Sequence, residues 1–141
     1  MDRIVIISGH GMFASGILSS LEMIVGKKEN FIAIDFLKDM SDTELEEKMK
    51  KELEQYPNSE VLFVCDLMGG TPFKICTKFA FSNSKYEVVT GVNVGGLIDL
   101  SMKFNQFSIL ELANHLVEAS KKAVVQVEKV KPLETTSNDG I

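Results

Sequence analysis

His10 stands between Gly9 and Gly11, just after the apolar run Val5-Ile6-Ile7 and a single serine, Ser8. Imidazole is the side chain whose charge changes nearest neutral pH, so it can act as nucleophile, base or metal ligand. The flanking glycines admit positive φ and leave the ring uncovered. A carboxylate, Asp66, follows a second apolar run, Val61-Leu62-Phe63-Val64-Cys65. Placed against one ring nitrogen of His10, it would fix the tautomer, leave the other nitrogen nucleophilic, and stabilise positive charge on the ring. Its alternative use is to brace the turn. Gly69-Gly70-Thr71-Pro72 comes next and reads as an anion cradle. Glycines free backbone N–H groups to converge, Thr71 offers a hydroxyl and a cap, and Pro72 suits the first helical position. A helix start is worth about 0.3–1 kcal/mol per anionic charge. A second helical pattern begins near Phe13, at His10 itself. A histidine, a carboxylate and two helix starts in one crevice suit a phosphoryl group carried on the imidazole.

Other chemistries lack their parts. Zinc needs several His, Cys or carboxylate ligands, and the other histidine, His115, lies in the last helical segment, so no metal is expected. Cys65 and Cys76 have no metal or redox spacing and read as small buried hydrophobes. Lys74 is not in a Gly-Lys-Ser/Thr setting, and neither the G-x-S-x-G elbow nor the G-x-G-x-x-G fingerprint is present. A hydrolase using His10 and Asp66 would need a further nucleophile or metal set. Met12 and Met68 fall at loop tips beside the same residues, where an adaptable apolar rim would suit a protein partner. Phe13 and Phe73 read as core.

The elements that must position these residues alternate. Continuous or near-continuous apolar runs predict strands over 3–8, 31–36, 61–65 and 86–90. Helical spacing is carried by Ala14, Ile17, Leu18, Leu21, Ile24 and Val25, ended by Gly26. Leu45, Met49, Leu53 and Tyr56 mark a charged helix capped at Ser41. Phe73, Cys76, Phe79 and Ala80 mark the helix after Pro72. A short helix is expected over 97–104. Ser108 caps a long one with Ile109, Leu112, Ala113, Leu116, Val117, Ala123 and Val124 inward. Residues 125–130 could extend that helix, or form an edge strand on their β-branched bias. Residues 131–141 lose periodicity and read as a flexible tail, leaving one domain over 1–130.

Strand–helix alternation means a parallel sheet with helices on both faces, a three-layer α/β/α fold. Right-handed crossovers bring the loops Gly9–Gly11, Asp66–Thr71 and Gly91–Gly96 to one sheet edge. With strand order 2-1-3-4, His10 and Asp66 face each other across the switch point, where such folds bind ligands. Of the 141 residues, 45% are hydrophobic and 25% charged, with a net charge of -5, which suits a soluble domain and argues against a nucleic-acid binder. No apolar run could span a bilayer and no signal-peptide pattern precedes the first strand. The two thiols fit a reducing cytoplasm.

Four pieces in order, Gly9-His10-Gly11, Ile34-Asp35-Phe36, Asp66-Leu67-Met68-Gly69-Gly70-Thr71-Pro72-Phe73 and Gly91-Val92-Asn93, resemble the enzyme IIA domain of the mannose-type sugar phosphotransferase system. The resemblance implies a cytoplasmic phosphocarrier without cofactor. Phosphoenolpyruvate would charge enzyme I, then HPr, then Nε2 of His10, with Asp66 bonded to Nδ1. A separate IIB component would accept the group and phosphorylate sugar imported by membrane IIC and IID. It also implies a homodimer formed by exchange of a C-terminal antiparallel strand, for which residues 125–130 are the available segment. The wording from Gly9 to Gly16 is closest to IIA proteins serving amino sugars such as N-acetylgalactosamine, with mannose- or sorbose-type hexoses as the other leaning. Related branches donate phosphate to dihydroxyacetone kinase or act as regulatory modules.

Overall fold

The computed structural model describes residues 1–130. Its elements run β1 (Arg3–His10), α1 (Phe13–Val25), β2 (Phe31–Phe36), α2 (Asp42–Glu54), β3 (Glu60–Cys65), α3 (Thr71–Phe81), β4 (Tyr86–Thr90), α4 (Val94–Lys103) and α5 (Ile109–Ala123). The sheet has the order β2-β1-β3-β4, with every pairing parallel. All four strands therefore deliver their carboxyl ends to one edge.

The pleat sorts the two cores. Val5, Ile7, Leu62 and Val64 point to one face and pack with Ile17, Leu21, Leu97, Leu112 and Leu116 of α1, α4 and α5. Ile4, Ile6, Phe63 and Cys65 point to the other face and pack with Leu45, Met49, Ile75 and Cys76 of α2 and α3. β1 and β3 are buried on both faces, which is why they read as unbroken apolar runs. The Cys65 and Cys76 thiols are free and buried. A hydrogen bond with the Cys65 thiol, and then burial, pushes the Cys76 thiol well up from its ordinary value. Both behave as inert core groups.

Ser41 and Ser108 cap α2 and α5 as expected, each in a reciprocal box with the glutamate three residues on, Glu44 and Glu111. Elsewhere the structure corrects the reading. β1 does not stop at Ser8: Gly9 and His10 pair with Asp35 and Phe36, and Gly11 closes a bridge to Phe36. His10 is thus the last strand residue, gripped by a neighbour distant in sequence. Gly70, not Thr71, is the N-cap of α3, and Thr71 and Pro72 lie inside its first turn. α4 starts at Val94 because the Asn93 side chain accepts the Gly96 N–H. Ala123 and Val124 are exposed rather than inward. Beyond Val124, residues 125–130 are exposed and neither extend α5 nor form a strand within the chain. The expected tail at 131–141 lies outside the described residues. Among the described residues, no helix is long and apolar enough to cross a membrane.

Candidate functional site

β1 carries His10 to the sheet edge, and β3 ends one residue before Asp66. Asp66 then binds the histidine twice through one oxygen: Oδ2 accepts the His10 backbone N–H at 2.9 Å and contacts Nδ1 at 2.7 Å. Its Oδ1 accepts the Leu67 N–H at 2.9 Å. Burial alone would raise the Asp66 carboxyl, but the His10 N–H, the His10 ring and the Leu67 N–H together outweigh it and hold Asp66 below its ordinary value. At neutral pH Asp66 is therefore an anion and only an acceptor. Nδ1 must then carry the proton, and in the neutral ring the free lone pair sits on Nε2.

The Cε1–Nε2 edge of the ring lies over Gly70. A Cβ at that position would stand 2.5 Å from Cε1 and 3.2 Å from Nε2. Gly70 has φ -75° and ψ 168°, so it is glycine for space, not for an unusual backbone. Because Gly70 is also the N-cap of α3, Nε2 faces a helix N-terminus that no side chain caps. Phe36 closes another side, its ring meeting the imidazole edge-on at 5.9 Å and 68°. The His10 side chain is 47% exposed and that of Asp66 only 12%, so the ring is supported from within and reaches solvent on its outer side.

The two glycines that were expected to free the histidine do different jobs. Gly11 has φ 58° and makes the exit from the strand. Gly9 is buried in the strand, and a Cβ there would meet Phe13 at 2.5 Å and the Asp66 carboxyl carbon at 2.9 Å. Gly69 has φ 88° and turns the loop so that Gly70 reaches the ring. Thr71 follows as the first residue of α3. Met12 and Met68 are 69% and 76% exposed, joined by Leu67 and Leu37 in the loops of the same edge. Phe13 and Phe73 are half-buried and pack on the two cores. His115 is away from the edge, its ring packed on Phe107 at 4.4 Å. Among the described residues, no cluster of three or more His, Cys, Asp or Glu is placed to hold a metal.

Two contacts of this edge are silent in the local sequence. Asp35 accepts the Ser15 N–H at 2.9 Å and the Ser15 hydroxyl at 2.6 Å, capping α1 from the neighbouring strand. Phe36 reaches His10 through the same strand pairing. The signal that could find both is the parallel register of β2 beside β1, which brings the end of each strand to one edge.

Comparison with known proteins agrees with this fold. The family model described as "PTS system fructose IIA component" matches residues 4–117. A fructose-specific EIIA component of the phosphotransferase system in Bacillus subtilis is 32% identical over 137 residues, covering 96% of this chain and 94% of that protein. A mannose-specific EIIAB component of Escherichia coli is 33% identical over 136 residues, which is 95% of this chain and 42% of that longer protein. The crystal structure of a phosphotransferase-system EIIA component from Streptococcus agalactiae superimposes with a TM-score of 0.81 at 29% identity, covering 88% of this chain and 96% of that one.

Proposed function

Since the chain belongs to the mannose-type EIIA family of sugar phosphotransferase-system components, we propose that its phosphocarrier chemistry runs on Nε2 of His10, charged by phospho-HPr and discharged to a IIB component. The observation that carries this reading is the pair of contacts on the imidazole: an ionised Asp66 at 2.7 Å on Nδ1, and the uncapped start of α3 under the Nε2 edge. The first makes Nε2 the nucleophile. The second puts backbone N–H groups and the positive end of a helix where a phosphoryl group on Nε2 would stand.

The step balances simply. The Nε2 lone pair attacks phosphorus, the P–N bond to the HPr imidazole breaks as the P–Nε2 bond forms, and the electron pair returns to the HPr ring. Nδ1 keeps its proton and donates it in a hydrogen bond to Asp66, whose negative charge stabilises the cationic ring that results. Gly11, Gly69, Gly70 and Thr71 line the phosphoryl position, Thr71 with its hydroxyl. Phosphoryl transfer needs mainly in-line placement and charge neutralisation. Here Asp66 bonds the ring, Phe36 meets it edge-on, and Gly70 leaves it the space a side chain would take. Backbone dipoles hold the group without a cation that would trap it. Met12 and Met68 form the rim on which HPr and IIB alternate.

IIC and IID enter only through IIB, so the sugar is selected elsewhere; the wording around His10 leans to an amino sugar such as N-acetylgalactosamine, or to mannose- or sorbose-type hexoses. The reading places the carrier in the cytoplasm. It also includes a homodimer, supported by the open edge of β4 and by Val124, which lines one cavity with Val89, Thr90 and Gly91 of β4 and its following loop. Residues 125–130 leave α5 beside that edge and are the segment to exchange.

The test is transfer from phosphoenolpyruvate through enzyme I and HPr, followed by phosphorus NMR and site-mapped mass spectrometry. The expected product is an acid-labile, base-stable adduct on His10. Charged HPr with no adduct on this chain would overturn the reading.

A further inference from the structure

The sheet edge carries two helix starts beside His10, and the protein treats them differently. Met12, the N-cap of α1, provides no side-chain cap. Asp35 does so instead, taking both the Ser15 N–H and the Ser15 hydroxyl with its two oxygens. The start of α3, by contrast, has no side-chain cap. The pleat makes the assignment. Asp35 is in register with Gly9, on the face that packs α1, while His10 is in register with Phe36, on the face that packs α3. A carboxylate belonging to the protein therefore fills one helix N-terminus, and the nucleophile faces the other.

We propose that Asp35 is a positioning residue of the phosphocarrier: a resident anion that closes the α1 N-terminus to the phosphoryl group, so that phospho-His10 is held from the α3 side alone and stays labile. The inference rests on His10 being the phosphorylated residue. Two physical effects act in one direction. Asp35 occupies the Ser15 N–H that would otherwise be free to bind an anion, and it offsets the roughly half unit of positive charge at that helix end. Its own negative charge, one strand away from His10, also opposes the charge of a phosphoryl group. Both raise the free energy of the phosphorylated form relative to the free form. In the free form Asp35 is satisfied by two hydrogen bonds and does no such work. A carrier has to release what it accepts, and a two-helix cradle would bind the group more tightly than a one-helix cradle.

The test measures the equilibrium between phospho-HPr and this protein by phosphorus NMR, together with the lifetime of the isolated phosphohistidine, for wild type, Asp35→Asn and Ser15→Ala. Asparagine keeps the cap, since its oxygen accepts the Ser15 N–H and its amide meets the Ser15 hydroxyl, but it removes the charge. The expected result is an equilibrium shifted at least threefold toward the phosphorylated form and a longer-lived adduct. Ser15→Ala breaks half the cap and keeps the charge, so its equilibrium should equal or fall below that of wild type. Thermal unfolding establishes that each variant is folded, and Asp35→Ser serves the same comparison should Asp35→Asn unfold. An Asp35→Asn ratio at or below wild type overturns the inference. A Ser15→Ala ratio that rises as much as Asp35→Asn also overturns it, because loss of the cap rather than of the charge would then be responsible. Wild type without an adduct on His10 overturns the phosphocarrier reading, and this inference with it.

Discussion

Replacing Gly70 with alanine should silence the site while sparing the fold. The added Cβ would lie 2.5 Å from Cε1 and 3.2 Å from Nε2 of His10. Carbon atoms rest at about 3.5–4.0 Å, so the ring has to withdraw by roughly 1 Å. Its Nδ1 is held at 2.7 Å by Asp66, a bond that has about 0.5 Å of slack before it ceases to be one. The ring therefore loses Asp66 or turns its Nε2 edge away from α3. A displacement of about 1 Å in a positioned nucleophile costs on the order of 100-fold in rate, or about 2.7 kcal/mol of barrier. Stability should hardly move. Alanine accepts φ -75° and ψ 168°, its poorer capping is offset by a less flexible unfolded chain, and a ring already 47% exposed can swing into water. A net change under about 1 kcal/mol corresponds to a Tm shift of no more than a few degrees for a chain of this size. The assay is the time course of transfer from phospho-HPr, paired with thermal unfolding. Transfer within threefold of wild type in a folded variant would refute the argument that the ring needs the space over Gly70. Unfolding would refute it as well, since the backbone there tolerates a side chain.

Gly9→Ala should do the reverse in stability: its Cβ would strike Phe13 and the Asp66 carboxyl carbon inside the sheet, so a loss of about 1–3 kcal/mol in chemical denaturation is expected, and an unchanged midpoint would contradict the crowding. Asp66→Asn removes the charge that holds the Nδ1 proton and stabilises the cationic ring; transfer should slow by roughly 10- to 100-fold with the fold retained, and an unaltered rate constant would remove Asp66 from its role. His10→Ala should give no adduct and keep the fold, but its acid limb should change. Asp66 is held below its ordinary value in the folded state, so its contribution to stability is present above the unfolded carboxylate pKa of about 3.9 and is lost as pH falls through the lower folded value. Without the ring the folded value rises toward the unfolded one, and the fall in Tm between neutral pH and pH 3 should be smaller than in wild type. An identical acid limb would mean that the ring contributes nothing to the ionisation of Asp66.

Local chemistry made most of the fold legible and nonlocal pairing hid the rest. The runs at Val61–Cys65 and Tyr86–Thr90 and the helical stripes of α1, α2 and α5 depend on residues a few positions apart, and most of them stand where the periodicity puts them, though Ile24 and Ala123 are exposed and Tyr56 lies beyond the end of α2. Ser41 and Ser108 signal their caps with a glutamate three residues on. The end of β1 has no such signal. Gly9 and His10 look like turn residues, and they are strand residues because Asp35 and Phe36 pair with them. The cap of α1 is equally distant, since Asp35 comes from β2 and Met12 gives no hint of it. At α3 the reading missed by one residue, because Thr71 is a good cap by type whereas Gly70 is required there by contact with the histidine. The inward placing of Val124 failed for another reason: α5 ends at Ala123, so the stripe continued in sequence after the helix had stopped.

The glycines of the site explain how a short, ordinary-looking edge can hold one imidazole in place. Gly11 and Gly69 supply positive φ and so set where the chain turns. Gly9 and Gly70 supply no unusual backbone; they supply the absence of a side chain, at Phe13 and Asp66 in one case and at the imidazole in the other. Turns alone would leave His10 free to rotate. Close approach alone would not bring α3 to it. Together they trap the imidazole between an internal carboxylate and the bare start of a helix, with its Asp66-bound nitrogen supported from within and its other nitrogen toward the open edge. On the proposed chemistry, Asp66 and Phe36 act on the ring alone and would orient it in both directions of transfer, while the bare start of α3 would face the group it carries. For the carrier proposed here, which must accept and release with comparable ease, fixing the imidazole through Asp66 and Phe36 while leaving the grip on the cargo to one helix start serves both directions.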